Sequence, residues 1–214
     1  MSCPICEKRP PKRFCPAKGE RICAICCGTQ REVTIDCAPD CTHLISARRY
    51  EVEHRKPPET ETAPFPDVEF SAEVLRRHPE GLSAIGLAVI GFAQQNDALR
   101  DPEILAALRA LAEAYRTLES GIYFERPPDA PMPRALYTHL AEALQEFKKQ
   151  KSQQSGFTTL KDSEIFRLLV FFLRLGARET NGRPKARGFL DFLYAQFPAA
   201  QAAAERGAPR IILP

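Results

Sequence analysis

The stretch CPICEKRPPKRFCPAKGERICAICCGTQREVTIDCAPDCTH, residues 3 to 43, holds all eight cysteines of a 214-residue chain. Thiols this dense can hold a metal ion, ligate an iron–sulfur cluster or carry redox chemistry, because soft thiolates serve all three uses. The spacing favours the first of these uses, and no strand–helix alternation gives the pairs a thioredoxin-like setting. Cys3 and Cys6 are separated by two residues, as are Cys23 and Cys26, with sixteen residues between the pairs. Two intervening residues let a tight turn aim both sulfurs at one ion while backbone amides approach them, and paired knuckles at this separation are the spacing of a zinc site. Zinc has no geometric preference of its own and accepts four thiolates as a tetrahedron. Cys15, Cys27, Cys37 and Cys41 remain, the number a second closed site requires, and His43 is able to stand in for one of them. Cys37 and Cys41 lie four apart where Asp36, Pro39 and Asp40 mark a helix start, and a helix N-terminus favours thiolates. The order along the chain interleaves the sites: the first closes through Cys23 and Cys26, and the second reaches across it from Cys15 to Cys41. The expectation is a cross-brace holding two zinc ions.

The first 43 residues contain few large apolar side chains, chiefly Ile5, Phe14, Ile22, Ile25, Val33 and Ile35. Modules this small normally replace a core with metal or disulfides. Disulfides require an oxidising compartment. The chain opens Met-Ser-Cys-Pro without the basic start and apolar run of a secretory signal. Its longest apolar stretches, 84–93 and 165–177, fall short of the roughly 20 residues that cross a bilayer. The expectation is therefore a soluble, cytoplasmic protein with reduced thiols and no membrane partner. A catalytic zinc keeps one position open, usually with His or Glu among its ligands. Eight thiols without such companions point to closed, structural sites.

The stretch resembles the small cross-brace and treble-clef zinc fingers, such as the HIT-type and B-box groups. It is most similar to the N-terminal module of uncharacterised bacterial proteins carrying CPxC…KRxCP…ICxxCCG…IDCxxDC, here Cys3 to Cys6, Lys12 to Pro16, Ile22 to Gly28 and Ile35 to Cys41. Unlike the HIT and B-box patterns, Cys15 has no partner two or three residues on, and Cys26-Cys27 is a doublet. The resemblance covers about a quarter of the chain and implies zinc and partner binding without a particular reaction.

Beyond the cysteines, Pro39 to Arg55 reads as an exit helix, so the zinc module spans 1–55. KPPETETAPFP, residues 56–66, reads as an extended proline-rich linker. Residues 67–214 read as an all-helical domain large enough for its own core. Helical patterning covers Gly81 to Gln95, where Gly86 and Gly91 permit close packing. Asp101-Pro102 reads as a cap and first turn, followed by the stripe Ile104, Leu108, Leu111, Tyr115 and Leu118. A second stripe, Leu136, Leu140, Leu144 and Phe147, ends in lysines. Asp162 or Ser163 opens the most apolar segment, Ile165 to Ala177; Asn181-Gly182 breaks it, and Pro184 to Phe197 forms the last helix.

No phosphate-cradling glycine loop, nucleophile elbow or His-Glu zinc motif occurs in the sequence, so no catalytic residue is assigned. The net charge of +3 is small, but Lys8, Arg9, Lys12, Arg13 and Arg31 cluster on the zinc module as candidate nucleic-acid contacts. Arg174, Arg178, Arg183, Lys185 and Arg187 flank the Asn181-Gly182 break. Three classes of function follow: a non-catalytic adaptor whose helical domain meets a protein partner, a nucleic-acid-associated protein using the basic loops, and an enzyme with an unrecognised site in the helical domain. The first explains the cysteines most economically.

Overall fold

A computed structural model describes residues 2–55, 63–69, 72–119, 124–155 and 160–198. Helix dominates these residues. The N-terminal module contains an antiparallel hairpin, β1 (Arg13–Cys15) and β2 (Glu20–Ile22), with Arg13 opposite Ile22, Phe14 opposite Arg21 and Cys15 opposite Glu20. It continues through a short helix, α1 (Ala24–Gln30), and α2 (Thr42–Glu53). The exit helix starts three residues later than Pro39 suggests, so Cys41 is its N-cap and Cys37 lies outside it. In the rest of the chain run α3 (Ala72–Arg77), α4 (Pro79–Gln95), α5 (Asp101–Glu119), α6 (Pro131–Ser155), α7 (Asp162–Glu179) and α8 (Gly188–Gln196).

The amphipathic stripes explain the packing. Ile104, Leu108 and Leu111 of α5 and Leu136, Leu140 and Leu144 of α6 are fully buried. They meet α7, whose Ile165, Leu168, Leu169, Phe172 and Leu173 form the centre of one core. α7 packs chiefly on α5, and α6 lies across α4 and α5. Gly176 lets α7 approach closely, since a Cβ there would stand 2.5 Å from the Leu105 side chain and 3.0 Å from the Phe189 ring. Gly86 does the same for the Phe197 ring, whereas nothing lies within 4 Å of a Cβ on Gly91. Of the two glycines read as packing sites in α4, only Gly86 is one.

Two boundaries differ from the sequence pattern. Lys56 to Thr62 fall outside the described residues, but Pro64 and Phe65 are held on the bundle. Phe65 is buried edge-on against Phe166 at 5.5 Å, and Arg174 donates to the carbonyls of Pro64, Phe65 and Val68. α8 begins at Gly188 rather than Pro184, because residues 181–187 serve as a turn. Asp101 holds that turn. It is the first residue of α5, and its carboxylate caps another helix, accepting the Phe189 amide at 3.0 Å and the Leu190 amide at 3.1 Å. Its own amide donates to the Ala186 carbonyl at 2.9 Å. No described helix is long and apolar enough to cross a membrane.

Candidate metal centre

Cys3, Cys6, Cys23 and Cys26 converge, with all four sulfurs within 4.8 Å of one another. The Cys6 and Cys23 sulfurs are 3.9 Å apart. A disulfide would bring them to about 2.05 Å, and all eight cysteines are free thiols. A zinc tetrahedron with bonds near 2.3 Å has edges of about 3.8 Å. The Cys6–Cys23 separation fits two corners around one ion.

Local backbone builds each corner. In the first knuckle the Glu7 amide donates to the Cys3 carbonyl at 2.7 Å, a tight turn that carries Glu7 into the left-handed region at φ 53°. The second knuckle is a helix start. Cys23 is the N-cap of α1, and its sulfur accepts the Cys26 amide at 3.3 Å. The Cys23 amide in turn donates to the Cys3 sulfur at 3.2 Å, joining the two knuckles.

The same amides set the thiol charges. Burial raises the Cys3 thiol, but amides of Cys23, Cys6 and Ile5 outweigh it and bring the group down to about 6. Cys6 is also lowered, chiefly by the Lys8 amide. Cys26 is pushed up to about 12 by burial and by the three neighbouring thiols. Crowded sulfurs cannot all ionise in each other's company, so one gives its proton last. A divalent cation at their centre supplies the charge that lets all four be thiolates. Four soft donors at these distances therefore fit a single tetrahedral metal ion.

The other four thiols are not drawn into such a group. Among the described residues the first cluster alone brings three or more potential ligands within that distance. Cys15 is buried in the same apolar cluster as the first site, and Cys27 and Cys37 pack against it. Burial raises the Cys37 thiol against an opposing backbone hydrogen bond from Glu32, and the charges of Glu32, Cys41 and Cys15 add to the rise. The Cys27 sulfur accepts the Arg13 guanidinium at 3.7 Å. His43 is half-buried, and burial together with the charges of Arg13 and Arg31 lowers its affinity for a proton.

The five cations proposed for nucleic acid divide in the structure. Lys8, Arg9 and Lys12 are exposed, whereas Arg13 and Arg31 are half-buried, Arg13 against the Cys27 sulfur. The outer face of the hairpin instead gains Arg21, directly opposite Phe14, which is 54% exposed. All five of the second basic set have partners within the chain: Arg174, Arg183 and Lys185 donate to backbone carbonyls, and Arg178 and Arg187 stand beside Glu179 and Asp191.

What the sequence does not signal is Glu32. It sits at φ 53°, is only 1% exposed, and looks like one more acidic residue offsetting a basic loop. In the structure its carboxylate accepts Arg48 at 2.7 Å and Asn181 at 2.7 Å. Arg48 also reaches Asp191 of α8 at 2.5 Å. The cysteine-rich module and the helical bundle have separate apolar clusters, and this polar set joins them. No protein-family model, curated protein or solved structure matches the chain.

Proposed function

We propose that the chain is a non-catalytic, zinc-stapled adaptor: the finger holds its shape around metal, and the helical bundle offers a surface to a protein partner in a reducing compartment. The observation that carries this reading is the four-thiol cluster. A tetrahedron closed by four protein sulfurs leaves no position for water or substrate, which is the donor set of a structural ion. Zinc is favoured over a multi-iron cluster because thiolates that each bind a different iron stand further apart than two corners of one small tetrahedron. The cross-brace reading adds a second zinc held by Cys15, Cys27, Cys37 and Cys41, with His43 as substitute. It is supported by the burial of Cys15 and by the packing of Cys27 and Cys37 against the same apolar cluster, and it requires these thiols to draw together around the ion.

Metal analysis of protein purified without added iron tests both statements. Two zinc ions per chain are expected. One ion removes the second site, and a coloured iron-bearing sample removes zinc.

A second reading, binding of nucleic acid, is favoured by the outer hairpin face. Phe14 and Arg21 form a cross-strand pair there, and Lys12 alternates onto the same side. An exposed ring between cations suits base stacking beside a phosphate backbone.

A further inference from the structure

The joint between finger and bundle is built from an unusual kind of acceptor. On the finger side it uses backbone carbonyls of one short segment, residues 28–34, together with the Glu32 carboxylate. Arg183 donates to the Arg31 carbonyl at 2.8 Å and to the Gly28 carbonyl at 3.4 Å. The Lys185 amide donates to the Glu32 carbonyl at 2.7 Å, and the Lys185 ammonium to the Thr34 carbonyl at 2.9 Å. Asn181 and Arg48 share the Glu32 carboxylate. Arg100 and Asp36, 2.5 Å apart, extend the joint past the segment.

A side-chain acceptor can swing to meet its donor, but a carbonyl points where the backbone points. The direction of these carbonyls therefore depends on what fixes residues 28–34. That segment runs directly out of α1, whose N-cap is Cys23 and whose first turn carries Cys26. α1 has seven residues, well under the roughly 12 at which an isolated helix begins to hold in water. The finger's apolar cluster is itself made largely of cysteines. With the four sulfurs drawn together on an ion, α1 has a fixed start and the carbonyl array a fixed direction. With the thiols apart, neither does.

We infer that metal binding at Cys3, Cys6, Cys23 and Cys26 and the docking of residues 28–34 onto Asn181, Arg183 and Lys185 form one coupled equilibrium. The finger is a metal-operated latch, and its release uncovers Arg183 and Lys185 of the bundle. The inference rests on the metal reading above. Coupling between two binding events is reciprocal: whatever the ion does for docking, docking does for the ion. Arg183 and Asn181 lie outside the thiol cluster and belong to the bundle, so an ion that merely stapled the finger would be indifferent to them.

The experiment uses the full chain. Zinc affinity is measured by competition with a chelating dye for the wild type, Arg183→Ala and Asn181→Ala, alongside total zinc at saturation and helix content. Backbone hydrogen exchange is followed in the wild type with and without zinc. Arg183→Ala is expected to keep its helix content and its zinc stoichiometry while binding zinc roughly tenfold more weakly, within the usual range for coupled sites; Asn181→Ala should weaken it in the same direction. Removing zinc should speed exchange at the Lys185 amide, which is bonded across the joint. It should leave the Thr180 amide, bonded within the bundle to Gly176, unchanged. Should Arg183→Ala lose its helix content, Asn181→Ala and the exchange measurement decide the matter. Zinc bound by both variants at wild-type affinity, with Lys185 exchange indifferent to metal, overturns the coupling and leaves the metal reading standing. A wild-type chain that takes up no ion overturns both.

Discussion

Asp101→Ala should be among the most damaging single changes in the bundle, although Asp101 touches neither metal nor finger. The carboxylate is fully buried and accepts two amides at the start of α8, those of Phe189 and Leu190. Phe189 and Leu190 are themselves buried, so water does not replace the lost acceptor. Each orphaned buried donor costs about 1–3 kcal/mol, while relief from burying a carboxylate returns part of the sum. A net loss of roughly 2–4 kcal/mol follows, which in a chain of this size lowers the melting temperature by roughly 5–15 °C. Asp101→Asn keeps one acceptor oxygen and should lose about half as much. The pH dependence separates the two contributions. Burial raises the Asp101 carboxyl above its ordinary value of 3.8, with the Phe189 and Leu190 amides working against it. A folded-state value above the unfolded one means the advantage of the protonated form is present below about pH 4 and is lost as pH rises through the folded value. Relative to Asp101→Asn, the wild type should therefore lose stability over that window. Thermal melts of the zinc-loaded chain by circular dichroism, at pH 7 and across the acid range, are the assay. An Asp101→Ala chain within 0.5 kcal/mol of the wild type (about the scatter of surface substitutions) would refute the capping argument.

The glycines offer a matched pair. Gly176→Ala forces a methyl against Leu105 and Phe189 and should cost about 1–3 kcal/mol in a melt. Gly91→Ala meets open space within a helix and should stabilise by about 0.5–1 kcal/mol; destabilisation by Gly91→Ala would show that α4 is packed more closely than its Cβ distances indicate. For nucleic acid, the adaptor reading expects no submicromolar binding at physiological salt. Binding that falls with salt at a logarithmic slope near −4, reduced by about two on Lys12→Ala with Arg21→Ala, would transfer the finger to the second reading.

Much of the bundle is legible in the sequence because burial imposes a period. Leu136, Leu140 and Leu144 recur every four residues, and all three are buried on one face of α6. The same holds for the knuckles: two Cys-x2-Cys pairs announce a site because the chemistry of one ion dictates their spacing. What the pattern does not carry is partner choice among polar groups. Asp101 stands before Pro102 at a helix start, which reads as a cap for its own helix. It caps α8 because the turn before α8 passes over it, a tertiary fact with no local signature. Phe65 is likewise hidden in a proline-rich tract, where composition indicates linker and one aromatic side chain reaches the core.

Glu32 is the sharper case. A glutamate with a left-handed backbone and a neighbouring arginine has no periodicity, spacing or composition to mark it. Its role depends on Arg48, sixteen residues on, and on Asn181, 149 residues on. A buried ion pair is costly to assemble and contributes little net stability against an apolar alternative, yet it is unforgiving of misalignment. That is the behaviour expected of a joint that must form in one orientation and still come apart. An apolar joint would have merged the finger's cluster with the bundle core and made the two inseparable. A joint of carbonyls, one carboxylate and a few cations holds only while the finger's backbone is in place, and the four thiols are what put it there.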